Sequence, residues 1–120
     1  MGAPRSLAAA AWSIVIGTVL VSCGVTSAGT AYCWGESADG ALGDGESVST
    51  PVPRRVVAPP GSHVRWSQVV TGWWHTCGVT TDGDVHCWGS NSSGQLGDGS
   101  GEGESRDVPG PVALPAGVQV

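Results

Sequence analysis

An all-β fold is predicted for this chain: two consecutive β-propeller-type repeats, the blades of an incomplete propeller. Three observations predict it. The 120 residues include 20 Gly and 8 Pro, enough to break any helix into fragments, while 40% hydrophobic and 12% charged residues make the chain too apolar for disorder. The segment CGVTTDGDVHCWGSNSSGQLGDG at 77–99 repeats, in diverged form, CGVTSAGTAYCWGESADGALGDG at 23–45. Within each copy, short β-branched and aromatic runs alternate with glycine-containing turns.

The repeat fixes the order of elements. At the offset that carries Cys23 onto Cys77, Trp12 falls on Trp66, Ser13 on Ser67 and Val15 on Val69. The same offset superposes Cys33-Trp34-Gly35 on Cys87-Trp88-Gly89 and Leu42-Gly43-Asp44-Gly45 on Leu96-Gly97-Asp98-Gly99. Beyond Gly45 the second copy is read as about four residues longer, which aligns PVP at 51–53 with PGP at 109–111. A period in this range, built of short strands, is the mark of propeller blades. The expected strands of the second copy are WSQVV (66–70), HTCGVT (75–80), DVHCWG (84–89) and a Pro-limited PVALPA (111–116). The division is therefore residues 12–65 as repeat one and 66–120 as repeat two. Residues 1–11 are a leader or the remnant of a preceding blade, since PRSLA at 4–8 echoes PRRVVA at 53–58.

The turns set a register. SAG at 27–29 and TDG at 81–83 are three-residue links with Gly third, where a type I turn followed by a left-handed residue closes a hairpin. That register places Cys23 opposite Cys33 and Cys77 opposite Cys87, inside the span a disulfide bridges. Two further readings stand beside it. The four cysteines can serve as small buried hydrophobes, or as zinc ligands, although zinc pairs are normally spaced far more closely than the nine residues that separate these. No C-x-x-C is present to suggest thiol redox chemistry.

The succession Trp-Ser-x-Val, His-Thr-Cys-Gly-Val-Thr-Thr-Asp-Gly, Val-His-Cys-Trp-Gly, Gly-Gln-Leu-Gly-Asp-Gly and a Pro-Val tail resembles the regulator of chromosome condensation repeat. The likeness covers residues 12 to about 115 and is strongest to the cysteine-containing bacterial form. It implies blades of a ring of about seven, presenting loops to a partner protein. Two repeats cannot close such a ring, so further blades or oligomerisation are expected.

The stretch from Leu7 to Val21 admits a second description. With Arg5 before it and LVSC at 20–23 after it, it reads like a signal-peptide core ending in a lipoprotein cleavage site, and it is too short for a confident membrane span. Acylation of Cys23 would forbid its pairing with Cys33. The register match of Trp12, Ser13 and Val15 favours a degenerate blade strand. Membrane contact is expected only if this segment is a signal or anchor.

Charge and the remaining motifs narrow the function. All five basic residues are Arg, set against ten carboxylates for a net charge of −5, so nucleic acid is not an expected partner. Asp82 and Asp84 lack the rest of a calcium loop, and GDGSGEGES at 97–105 lacks the Lys of a phosphate loop. Asn91-Ser92-Ser93 is formally a glycosylation sequon. His63, His75 and His86 have no paired nucleophile at a recognisable spacing, and no catalytic residue, metal ligand or cofactor is assigned. Trp34 and Trp88 recur and are expected in the blade core. Trp73 and Trp74 occur once and are the candidate partner-binding residues.

A noncatalytic protein-binding scaffold follows, with the paired cysteines pointing to an extracellular, periplasmic or cell-surface setting. Two alternatives come from other classes. The resemblance implies a guanine-nucleotide exchange regulator, as eukaryotic members are for the small GTPase Ran. A fragment of a secreted propeller enzyme would require convergent acid, base and metal ligands, which the sequence does not display.

Overall fold

Among the described residues, eight strands form two four-stranded antiparallel sheets, each a simple meander in chain order. The first holds β1 (Trp12–Gly17), β2 (Val21–Thr26), β3 (Ala31–Gly35) and β4 (Thr50–Arg55). The second holds β5 (Trp66–Thr71), β6 (His75–Thr80), β7 (Val85–Gly89) and β8 (Arg106–Pro111). The computed structural model describes residues 12–17, 21–46, 48–58, 64–97 and 103–113, and of β1 the backbone alone. The all-β, two-blade fold is the one the sequence predicts.

The hairpin register is also the expected one. Gly29 and Gly83 take φ of 84° and 90° and close their turns by donating to Thr26 O and Thr80 O. Cys23 then faces Cys33 and Cys77 faces Cys87, each with Cα atoms 4.1 Å apart and sulfurs at disulfide distance. At the first strand of each sheet a bulge falls at the repeated serine, between Trp12 and Ile14 and between Trp66 and Gln68. Ser67 uses the bulge to donate its hydroxyl to Val79 O at 3.0 Å.

The fourth strand is a correction. It lies at Arg106–Pro111 and not at 111–116. Past Pro111 the chain leaves the ladder: Val112 N donates to Val85 O, and Ala113 N crosses to Gly97 O at 2.7 Å. Residues 114–116 lie outside the described residues. The first repeat makes the same exit, Val56 N to Ala31 O and Val57 N to Gly43 O. Arg54 pairs with Cys33 and Gly110 with Cys87, so β4 and β8 correspond at an offset of 56 where the cysteines correspond at 54. The insertion is therefore two residues, not four, and PVP at 51–53 matches DVP at 107–109. Proline is admitted here because an edge strand leaves alternate N–H positions unpaired.

One hydrophobic core joins the sheets. Val21, Cys23 and Val25 of β2 with Ala31 and Cys33 of β3 pack against Trp66, Val69 and Trp88 of the second sheet. Each sheet thus has a face for its neighbour in the chain and a second face turned away. On the second sheet the face turned away carries Cys77, Val79 and Val85, all half-buried where their first-repeat equivalents are fully buried.

That difference has a chemical consequence. Under native conditions with limiting reductant and an alkylating label, Cys77 and Cys87 should label before Cys23 and Cys33, because thiol exchange needs access to a sulfur. Peptide mapping reads the order, and equal labelling of the two pairs would contradict an open face on the second repeat. The leader reading of residues 1–11, together with Thr18, Val19 and Leu20, lies outside the described residues.

Candidate interaction surface

The repeated Gly-x-Leu-Gly-Asp-Gly run is the joint between the repeats. A short 3₁₀ turn at Ala38–Gly40, with Asp39 at φ 58°, leads into a loop whose Gly40 and Gly43 both have positive φ. This backbone turns the Ala41 carbonyl toward the second sheet, where it accepts from Thr76 Oγ1 at 2.8 Å and from Trp88 Nε1 at 3.0 Å, both buried. Gly43 lies flat under the indole: a Cβ there would stand 2.5 Å from Trp88 Nε1. On the far side of the loop, Gly45 N donates to Asp107 O of β8. Leu42 plugs the core, and Asp44 holds the loop by accepting from Glu46 N and facing Arg54 at 3.7 Å.

Trp88 is buried as expected, but Trp34 is only half-buried, which corrects its placement in the core. The reason is positional. Trp88 is covered by the loop of the repeat before it, whereas Trp34 belongs to the first repeat and the described residues contain no such loop ahead of it.

At the same end of the second sheet lies the link between β5 and β6. Gly72 N donates to His75 O at 2.8 Å, and a Cβ on Gly72 would stand 2.6 Å from the His75 ring, so the bend is tight and a larger residue there would displace that ring. Trp74 O accepts from Ser90 N at 2.8 Å, with Gly89 at φ 103° permitting the approach. The backbone is thus tied on both sides while the indoles project, Trp73 at 65% and Trp74 at 47% exposure. The first repeat packs on this sheet and leaves both open. A rigid, exposed aromatic pair loses little entropy on meeting a partner.

The other sequence candidates separate. Asp82 and Asp84 belong to the β6–β7 turn, where Asp84 O accepts from Thr80 N. Asn91 is buried, its Oδ1 accepting from Leu96 N at 3.1 Å, so the folded sequon does not present its side chain to a glycosyl donor. His86 packs edge-on to Trp66, and burial holds its imidazole below the usual histidine range against the opposing pull of Asp84. His75 abuts Gly72, far from His86 along the ladder, and His63 lies outside the described residues. At the opposite end of the sheets, two clefts of about 310 and 340 Å³ flank Arg65, with Arg55 lining the first. Among the described residues no three His, Cys, Asp or Glu converge on a point. The joint was missed in the sequence, although the co-occurrence of the loop and the tryptophan in both copies was its signal.

Profiles described as the regulator of chromosome condensation (RCC1) repeat match residues 28–79 and 82–120, and a second such profile matches 66–95. The chain belongs to the RCC1 repeat family. Its RCC1 repeats are 37% identical over 91 residues to human E3 ubiquitin-protein ligase HERC2, covering 71% of this chain and 2% of that protein. They are 36% identical over 87 residues to the ultraviolet-B receptor UVR8 of Arabidopsis thaliana, covering 68% of this chain and 19% of the receptor. The chain therefore spans a small part of these relatives. Among solved structures, Prp20p of Saccharomyces cerevisiae superposes with a TM-score of 0.76 at 18% identity, over 98% of this chain and 28% of Prp20p. Human WBSCR16 superposes at 0.71 with 22% identity, over 87% of this chain and 27% of that one. At these identities the structures show a shared propeller fold.

Proposed function

We propose that the chain is a noncatalytic protein-binding scaffold whose partner contact centres on Trp73 and Trp74. The observation that carries this reading is the pair of neighbouring indoles held outward on a backbone tied to Gly72, His75 and Ser90. Large rigid aromatics are the commonest interface anchors. Support comes from the neighbours in fold: the Prp20p structure is described with its binding to Gsp1p and histones, and yeast RCC1 has been solved bound to Kap60. Residues 12–65 and 66–120 act as the two repeats, with 1–11 a leader or blade remnant. The cysteine pairs fit an extracellular, periplasmic or cell-surface location, where disulfides persist.

Trp73→Ala and Trp74→Ala should each weaken partner capture by roughly thirtyfold, the equivalent of about 2 kcal/mol, and leave melting nearly unchanged. Quantitative capture from native extract, normalised to folded protein, is compared with thermal melts. If both variants melt as low as Trp88→Ala while capture per folded molecule is unchanged, the indoles belong to the structure and the reading fails.

A further inference from the structure

At the end of the sheets opposite Trp73 and Trp74, a cleft of about 340 Å³ opens between the two repeats. The β2–β3 turn lines it from the first repeat with Thr26, Ser27 and Gly29. The start of β5 and the β6–β7 turn line it from the second with Arg65, Ser67 and Thr81. Backbone bonds tie these pieces together: Trp66 N donates to Gly29 O at 2.8 Å and Thr81 N to Arg65 O at 2.9 Å. The walls are therefore fixed before any ligand arrives, which lowers the ordering cost of binding.

Arg65 supplies the charge in this cleft. A Cβ on Gly29 would stand 2.9 Å from Arg65 Cβ and 3.3 Å from its Nε, so the arginine side chain lies against the turn. A second cleft, of about 310 Å³, shares Gly29, Arg65 and Trp66 with the first. Arg54 is paired with Asp44 and Glu46, whereas among the described residues Arg65 has no ion pair and no carboxylate lines either cleft. Of the hydroxyls in the lining, Ser67 Oγ is engaged with Val79 O and Thr26 Oγ1 with Thr30 N. Ser27 and Thr81 are exposed, and their hydroxyls have no protein partner among the described residues.

We propose that this cleft binds a small oxyanion, the carboxylate or phosphate group of a small molecule, in the fork of Arg65. The planar guanidinium presents paired N–H donors at the spacing of two oxyanion oxygens, and the Ser27 and Thr81 hydroxyls donate to the oxygens that remain. The cavity lies at the small end of the usual range for ligand sites, about 300 to 1,000 Å³. The chain's net charge of −5 works against the approach of an anion, so recognition rests on these short-range donors. The site shares no residue with the surface built on Trp73 and Trp74.

The oxidised full chain is titrated with inorganic phosphate and, separately, with malonate, against chloride at constant ionic strength, and followed by NMR. Saturable shifts are expected at the Arg65 Nε–H and at the amides of residues 27–29 and 81, and the anion that binds more tightly identifies the group the site takes. Arg65→Gln removes the charge and the fork and should weaken binding roughly tenfold or more. Replacing both hydroxyls, Ser27→Ala with Thr81→Ala, should weaken it about threefold or more. Arg54→Gln, which removes a charge already paired, should leave it unchanged. If Arg65→Gln fails to fold, the wild-type Arg65 Nε–H shift and the double hydroxyl variant decide the matter. Shifts that never saturate, that chloride reproduces, or that persist with equal affinity in Arg65→Gln or in the double variant would overturn the proposal.

Discussion

Trp88→Ala should destabilise the chain by roughly 3–5 kcal/mol, the range for deleting a buried aromatic side chain, and leave little folded protein in a domain of ordinary stability. The indole is fully buried between the sheets, touches Trp66 edge-on and donates its N–H to Ala41 O. Its removal opens a cavity in the shared core and strips one donor from a buried carbonyl. Trp34→Ala, at the equivalent position but half-buried, should cost about half as much or less, since less transfer energy is lost. Urea denaturation of both variants reads the difference. Equal losses would mean that each repeat holds its own tryptophan independently of its neighbour.

Gly43→Ala should be the most damaging of the small substitutions. The left-handed backbone costs about 1–2 kcal/mol for a residue with a Cβ, and overpacking against the Trp88 ring adds about 1–3 kcal/mol more. Gly97→Ala is the internal control: its φ of 63° imposes the same conformational cost, but its nearest neighbour is Val112 Cγ1 at 3.3 Å in place of an indole at 2.5 Å. The difference between the two variants isolates the joint. Denaturation midpoints at constant slope give it, and two variants of equal stability would show that Trp88 does not rest on Gly43.

Local signals made much of this fold legible. Three-residue links ending in Gly29 and Gly83 specify a hairpin register, and the register brings the cysteines face to face without any knowledge of the rest of the molecule. What the sequence concealed was contact at a distance. The bond from Trp88 to Ala41 spans 47 residues, and no spacing or periodicity encodes it. The half-burial of Trp34 is concealed for the same reason, since burial of a blade tryptophan depends on the loop of the blade before it. The place of the fourth strand is hidden because PVALPA is more hydrophobic than RDVPGP, yet the loop carbonyl of Gly97 draws Ala113 away from the ladder. Trp73 and Trp74 stand out in the sequence because they break the repeat, while the Gly72 bend and the Ser90 tie that hold them outward are tertiary contacts with no local signal.

The glycine-rich loop of the first repeat locks Trp88 of the second against it, making the two repeats one structure. Hydrogen exchange of the tryptophan indole N–H groups, followed by NMR on the full chain, tests it most directly. The Trp88 proton is buried and bonded to Ala41 O, so it should exchange only through global opening, on the order of a thousandfold or more slower than the exposed Trp73 and Trp74 protons. A Trp88 indole proton that exchanges as fast as that of Trp73 would show that the joint is not closed in solution.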